Sequence, residues 1–397
     1  MCISPPNHNF WKLNKQPNKV VFSKVELFKV VLSFSYVYHT VMEKTISIPV
    51  KTIGPIKIIG PEVNTEVEVP LATFETPIWP STNRGASVTR KCSGLQCTIF
   101  DDRMTRSILL EGENAHSVML ILNHLNKNET IAQVISRTSR FCRNINWHTQ
   151  VVGNLLFLRL EATTGDASGH NMLTKAGDVL INWLLEHYPN LKYVSISGNI
   201  CVDKKVSAIN GLLGRGKYVI ADMLIPRAVC QERLKTTPEA LVNLNIKKNL
   251  MGSIISGGLR TANAHFANLL YAIYLATGQD VANIVEGSQG FTHAKVHNND
   301  LYFSVTLPNI IVGTVGNGKH HDFVKNHLRL LNCLDNSQPG QNARRLAIIV
   351  AATVWCGELS LLAAQTNPGE LMRAHEKFER KENKVNQTSR NRSPGNA

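Results

Sequence analysis

Two stretches of this chain are apolar on nearly every side of a helix. Ala262–Thr277 contains no Asp, Glu, Lys or Arg and stops at Gly278, a usual C-terminal helix residue. Asn342–Gln365 continues the pattern over a longer span and reads as one helix or a helix pair. A helix without a polar face has none to offer water, so both must lie enclosed at the centre of a layered domain. Neither is read as a membrane span, since no uninterrupted run of about 18 apolar residues occurs. Val20–Tyr38 is broken by Lys24, Glu26 and Lys29 and lacks a small-residue cleavage site, which excludes a signal peptide.

Around these helices the periodicity alternates. Ile46–Val69 is rich in Ile and Val and punctuated by Pro49, Gly54, Pro55, Gly60 and Pro61, the pattern of short strands joined by turns. Ser107–Lys192 is mixed, with a strand at Val151–Leu160 and a helix at Asn171–His187. Tyr193–Ser197 and Tyr218–Leu224 read as strands, and Leu301–Val315 as strand, turn and strand. The fold class is therefore α/β (α+β), and 397 residues suffice for two or three domains. Residues 1–41 have no period and read as a disordered extension, with Met42 as an alternative start. From Glu376 the chain turns charged and then Ser/Asn/Arg-rich, a flexible tail.

The net charge of +14 dissolves on inspection, because residues 1–41 and 373–397 each contribute +4. The remaining +6 suits polyphosphate ligands as well as it suits RNA. The eight cysteines are scattered without a CxxC pair, which points to reduced thiols in a cytoplasm and against a disulfide framework or zinc cluster. Familiar signatures fail on close reading. Gly211–Lys217 matches GxxxxGK, but Tyr218 replaces the Ser/Thr and the glycines precede a strand, so a tight turn is the better reading. Gly316-Asn317-Gly318 begins like a dinucleotide fingerprint, but His321 stands where its third glycine belongs.

Five polar segments stand in apolar surroundings: Glu75 with Ser81–Gly85, Gly165–Asn171, Ser197–Lys205, Gly278–Asp280, and His375. Singly, each is a turn, cap or surface group. Taken with their neighbours, PLATFE (70–75), STNRG (81–85), MTR (104–106), TSRF (138–141), SGN-x-C-x-DKK-x-x-AIN (197–210) and GRGK (214–217) form an ordered set. NAH-x-AN (263–268), GQD (278–280), DLY (300–302), LPNIIVGTVGNG (307–318) and GELSL (357–361) continue it. Over about residues 46–375 this set resembles the class I hydroxymethylglutaryl-coenzyme A (HMG-CoA) reductases, in their soluble form without a membrane domain.

The resemblance implies a large substrate-binding domain (42–106 and 196–375) around the helix at 262–277. A ferredoxin-like NADP-binding domain (107–195) is inserted into it. It also implies NADPH-dependent reduction of HMG-CoA to mevalonate and CoA in two hydride transfers. Each addition loads negative charge on a carbonyl oxygen, where a fixed cation is the largest single aid; the resemblance makes Lys204 that cation. Glu75 becomes the proton donor, and Asp280 links it to Lys204, raising the glutamate's pKa in a site closed to water. His375 protonates the departing CoA thiolate. Arg106, Ser197, Lys205, Lys248 and Asn268 align with HMG contacts, and Asn83 and Arg84 with positions near CoA. Ser139, Arg140, Asp166, Gly169, Asn171 and Gly316 align with the nicotinamide-nucleotide segments. No metal is implied. The protein is expected to be a homo-oligomer with the active site between subunits, without membrane or nucleic-acid partners.

The chain also departs from the family pattern. The cofactor motif GDAMGMNM is GDASGHNM here, so Ser168 and His170 replace methionines, and GTVGGGT is GTVGNGK, which brings in Asn317 and Lys319. The dimer strand motif is missing, and Thr40–Lys44 reads TVMEK. Two other readings compete: a basic nucleic-acid-binding protein, resting on the charged ends alone, and a degenerate homologue that binds CoA without turnover.

Overall fold

The computed structural model describes residues 45–127, 130–335 and 338–380. The chain divides into two units, Met1–Ser47 and Ile48–Ala397; the first lies almost wholly outside the described residues, and the fold below is that of the second. The expectations for residues 1–41, for Thr40–Lys44 and for the end of the tail from residue 381 likewise fall outside them.

Ten strands are linked by hydrogen bonds into one system. The main sheet runs β2 (Thr65–Ala72), β1 (Val50–Ile59), β3 (Leu95–Glu111), β7 (Gly216–Ile225), β10 (Asp300–Ile310), β9 (Gly290–His297), β8 (Thr261–Ala262). The 17-residue β3 is the hinge of the architecture. Its first half, Gln96–Arg103, pairs antiparallel with β7, and its second half, Met104–Glu111, pairs with β5 (Leu155–Thr163). There a second sheet forms in the order β6 (Lys192–Ser195), β3, β5, β4 (Arg143–Val152), antiparallel throughout.

Helices α2 (Ala115–Lys127), α3 (Thr130–Ser136) and α4 (His170–His187) cover this sheet. The succession β-α-β-β-α-β with that strand order is ferredoxin-like. On α4 the buried residues Leu173, Ala176, Leu180 and Leu184 recur at spacings of three and four, so one face closes a separate apolar cluster with Ile108, Leu110, Leu156 and Leu158.

The two apolar helices lie in the larger cluster. In α6 (Phe266–Ala276), Leu269, Leu270, Ile273 and Tyr274 are buried, and in α8 (Gln341–Gln365) the buried run is almost unbroken from Leu346 to Ala364. By length and composition α8 could cross a bilayer, but here it is enclosed by protein. Trp355 at its centre donates to Phe303 O (3.1 Å). α8 packs most closely against α1 (Ile78–Lys91), which contains the Ser81–Gly85 segment. A Cβ on Gly85 would lie 2.1 Å from Cys356 O, so this glycine exists to let two helices touch.

Several elements differ from the expected ones for identifiable reasons. Val151–Leu160 is a hairpin rather than one strand, because Gly153 takes φ +60° at the turn between β4 and β5. α6 begins at Phe266, since Thr261 and Ala262 pair parallel with β9 and Asn263 Oδ1 accepts from Phe266 N (3.2 Å). Leu301–Val315 is one strand ending at Ile310. Beyond it Gly313 N donates to Gln279 Oε1 (2.9 Å) and Thr314 N to Asp166 O (2.8 Å), so neither is free for a ladder. The Gly211–Lys217 turn joins a short helix, α5 (Ala208–Leu213), to β7, helix before strand, the reverse of a phosphate loop. The helix bearing His375, α9 (Glu370–His375), continues in π-helical form to Arg380, past the point where the tail was expected to begin.

Gly85→Ala should therefore lower unfolding free energy by about 2 kcal/mol, the usual cost of overpacking a tight helix contact. The midpoint of urea denaturation measures it; an unchanged midpoint would mean that α1 and α8 are not in contact at Gly85.

Candidate active site

Lys204 stands on the segment between β6 and α5, where three non-glycine residues, Asn199, Val202 and Lys204, have φ of 59°, 36° and 55°. A β-branched residue such as Val202 rarely adopts positive φ, so surrounding contacts must impose it. Asn210 Nδ2 donates to Val202 O (2.8 Å), and Lys204 N donates to Glu286 Oε1 (3.2 Å). Gln289 holds Ser207 at both its N–H (3.3 Å) and its C=O (3.0 Å).

Behind the loop, Arg215 is fully buried. Its guanidinium reaches Asp203 Oδ1 (2.5 Å), Thr105 O (2.9 Å), Thr105 Oγ1 (2.8 Å) and Glu286 Oε1 (3.4 Å). Buried charges persist only when paired and hydrogen-bonded, and these are. Burial pushes the Asp203 carboxyl up, but the neighbouring His170 imidazole and the charges of Arg215 and Arg106 reverse this and hold it well below its ordinary range. For Glu286 burial prevails over Arg215, and its carboxyl is raised.

Lys204 Nζ lies 2.5 Å from Asp280 Oδ2. Asp280 follows Gly278 (φ +61°) at the end of α6 and also accepts from Ala282 N (3.1 Å), which fixes its rotamer. The bond to Asp280 raises the Lys204 ammonium against a smaller opposing effect of burial. Burial raises the Asp280 carboxyl, but the bond from Lys204, the Ala282 N–H and the nearby positive charge together outweigh it, and its pKa is lowered. The pair is charged throughout the neutral range. Because the side chains are 39% and 47% exposed, it contributes little to stability.

This pair opens into a cavity of about 510 Å³ walled by Arg106, His170, Asn171, Gly313, Gly316 and Lys319. Gly169 (φ +93°) closes one side, where a Cβ would approach Thr164 to 2.6 Å, and Gly316 (φ +101°) leaves the opposite wall open. Asp166 Oδ1 accepts from Ala343 N (3.0 Å) and secures the loop to the start of α8.

Glu75 belongs to a different cavity of the same chain, of about 570 Å³, with Ser81, Arg84, His265, Asn268 and His375. Asn268 Nδ2 donates to Glu75 Oε2 (3.1 Å). The start of α6 is held by Glu358, a fully buried carboxylate in the middle of α8, which accepts from Ala264 N (2.7 Å), His265 N (3.1 Å) and Thr292 Oγ1 (2.8 Å). Among the described residues none lines both cavities: Glu75 and His375 open onto one, Lys204 and Asp280 onto the other. The expected contact of Asp280 with Glu75 is not made within one chain, and Glu75, Lys204 and Asp280 are all solvent-exposed there.

The other expected ligand residues scatter. Asn83 Oδ1 accepts from Gly54 N (3.0 Å), and Arg84 ties α1 to Ser360 and to Glu370 (2.6 Å). Lys205 Nζ turns to Asp203 O (3.1 Å), Lys248 Nζ to Asn249 Oδ1 (3.2 Å), and Ser197 Oγ lies 4.0 Å from Cys201 Sγ. Ser139 Oγ accepts from Phe141 N (3.2 Å), and the Arg140 guanidinium lies 4.7 Å from the centre of the Phe141 ring. Arg215, Glu286, His265 and Glu358 were given no role from the sequence, although Arg215, His265 and Glu358 stand inside GRGK, NAH and GELSL. A buried charge inside an otherwise apolar run, as at Glu358, was the available signal.

Arg215→Gln should destabilise the protein by about 3 kcal/mol, because Asp203 and Glu286 lose their buried counter-charge. Since the folded-state carboxyl of Asp203 is depressed, its share of stability is present above the unfolded pKa and is lost as pH falls through the folded one. Urea melts of wild type and Arg215→Gln should therefore converge toward acid. Parallel curves at all pH values would rule this out.

Comparison with known proteins agrees with the architecture. The family model described as hydroxymethylglutaryl-coenzyme A reductase matches residues 20–380. A 3-hydroxy-3-methylglutaryl-coenzyme A reductase of Pyrococcus horikoshii is 42% identical over 334 residues, covering 83% of this chain and 80% of the relative. The Aeropyrum pernix protein of that name is 40% identical over 354 residues, 87% and 83% of the two chains. Among solved structures, the class II reductase of Streptococcus pneumoniae bound to NADPH superposes with a TM-score of 0.65. It is 17% identical and covers 87% of this chain and 98% of that one, a likeness of fold. On these matches, the chain belongs to the hydroxymethylglutaryl-coenzyme A reductase family.

Proposed function

We propose that this chain is a class I HMG-CoA reductase that converts HMG-CoA to mevalonate and CoA at the expense of two NADPH. The observation that carries this reading is the Lys204–Asp280 ion pair, fixed on a strained loop at the mouth of a glycine-walled, cation-bearing cleft. The cleft fits a dinucleotide phosphate: Gly316 leaves room for close backbone approach, and Lys319 supplies positive charge. NADPH, held there by the Gly165–Asn171 and Gly313–Gly316 segments, would supply the two reducing equivalents.

Each chain residue then has a task. Lys204 holds its ammonium at the carbonyl oxygen where charge develops, and Asp280 keeps that ammonium protonated and aimed. Glu75, steadied by Asn268, delivers a proton to the same oxygen. His375 protonates the leaving thiolate, and its place on α9 beside Glu75 suits that task. Arg106, Ser197, Lys205 and Lys248 are assigned to the HMG carboxylate, and Asn83 and Arg84 to the neighbourhood of CoA. Ser139, Arg140, Asp166 and Asn171 shape the cofactor segment.

These tasks need Glu75 and Lys204 at one carbon, which two copies of the chain accomplish if each lends one cavity. The surface beside Lys204 favours this arrangement. Val206, Leu212, Ile254 and Ile255 are 53%, 71%, 71% and 83% exposed, and Arg260, bonded to Gly211 O (3.0 Å), joins the two segments that carry them. Exposed large apolar side chains on neighbouring segments are characteristic of an interface. Covering them would also exclude water from the ion pair and strengthen its field. A cytoplasmic location belongs to the same reading, supported by seven free cysteines among the described residues, six of them buried.

The test is absorbance at 340 nm with HMG-CoA and either NADPH or NADH. Two NADPH should be consumed per CoA released. Lys204→Ala should lower turnover at least about a hundredfold, the typical loss on removing an oxyanion-stabilising group, without changing the circular dichroism spectrum. Wild-type turnover in Lys204→Ala would overturn the mechanism, and absence of HMG-CoA-dependent oxidation in the wild type would overturn the function.

A further inference from the structure

The cleft contains one titratable group to which this mechanism gives no task. His170 is the first residue of α4, directly after Gly169. Its Nδ1 lies 3.4 Å from Ser168 Oγ, and its Nε2 lies 3.5 Å from Asp203 Oδ1, ion-pair distance but long for a hydrogen bond. The side chain is 16% exposed, and Nε2 is buried without a hydrogen bond.

The imidazole thus spans a junction. On one side is the loop at 165–169 leading into α4, whose buried face belongs to the apolar cluster of the smaller sheet. On the other is Asp203, adjacent in sequence to Lys204 and bound by Arg215 from behind.

Every element around His170 presents a charge. Asp203 and Lys204 face it from the loop, Arg106 from β3, Asp280 from the turn after α6, and Lys319 from the segment after Gly316, with Arg215 behind Asp203. Lys319 Nζ is bonded to Gly278 O, and burial pulls its ammonium down to about 8. A neutral imidazole in this setting is a weak dipole against Asp203. A protonated one is a second cation on the carboxylate that carries Lys204, drawing the two loops together, and it adds positive charge where an anionic dinucleotide binds. The methionine of the family pattern at this position can do neither.

We propose that His170 is a positioning residue that clamps the cofactor loop to the Lys204 loop through Asp203, and that protonation closes this clamp. The inference rests on the reductase reading for its consequence, dinucleotide affinity, but not for the clamp itself. The protonated form is favoured by Asp203 and Asp280 and opposed by Arg106, Lys204 and Lys319. Dinucleotide affinity should accordingly rise as pH falls.

Two measurements on the full-length protein without cofactor test this. In the first, histidine-labelled protein is titrated by NMR between about pH 5.5 and about pH 8.5. The His170 ring, identified by its loss in His170→Met and His170→Gln, should respond to pH, and Asp203→Asn should alter that response. In the second, Kd for NADP+ and for NAD+ is measured calorimetrically at both ends of the range. Wild-type Kd should change by roughly threefold to tenfold more than that of either His170 variant, the effect of one added charge at a partly buried site. NAD+ removes the contribution of the 2′-phosphate.

A His170 ring that does not titrate, or His170→Met and His170→Gln proteins that keep the wild-type pH response, would overturn the proposal. Lack of HMG-CoA-dependent NADPH oxidation by the wild type is a separate result. It would overturn the functional reading and leave the NMR titration to decide the clamp.

Discussion

The guanidinium of Arg215 holds together the half of the site that carries Lys204. It is fully buried and reaches three different parts of the chain: Thr105 on β3, Asp203 on the lysine-bearing loop, and Glu286 beyond α6. Around it runs a longer chain of polar contacts. Arg159 in the smaller sheet is paired with Glu161 and donates to Gly214 O (2.6 Å), the residue preceding Arg215. Glu161 in turn binds Arg103 (2.7 Å) on β3. The geometry of Lys204 is thus fixed by the smaller sheet as well as the larger one, and the strained backbone at Val202 and Lys204 is affordable because so many contacts determine it.

β3 makes this arrangement possible. A single strand that leaves one sheet and enters another carries Thr105, Arg106 and Ser107 across the joint between two apolar clusters. Arg106 can therefore face the cleft while Thr105 caps Arg215. The second cavity is anchored differently. Glu358, buried in α8, grips the start of α6 and so sets where Asn268 meets Glu75. One chain has two half-sites, each rigidly supported and each open to water, and in our reading a second copy supplies what each lacks.

Much of this was legible in the sequence because apolar periodicity is strong in long elements. α4 is announced by helical spacing of its apolar residues and α6 and α8 by apolarity on nearly every side, and the failed phosphate loop was betrayed by glycines that precede a strand. The shorter features were not legible. The β4–β5 hairpin hides behind Val151–Leu160, because two strands joined by two residues read as one apolar run. Gly85 looks like part of a polar motif and is a packing glycine between α1 and α8. Asp166, read from the motif as part of the cofactor segment, also secures the start of α8 through Ala343 N. Such roles depend on contacts between residues far apart in sequence, which spacing does not encode. The resemblance already implied an active site between subunits, and in one chain Glu75 and Lys204 line different cavities.

Hybrid oligomers measure that separation directly. Glu75→Gln and Lys204→Ala subunits, carrying different affinity tags, are each inactive alone in our account. Co-expressed and mixed at random in two-fold pairs, they should recover about a quarter of the wild-type rate, because half the pairs are hybrids and each hybrid has one intact site. Hybrids purified through both tags that remained as inactive as either parent would contradict a site shared between two copies.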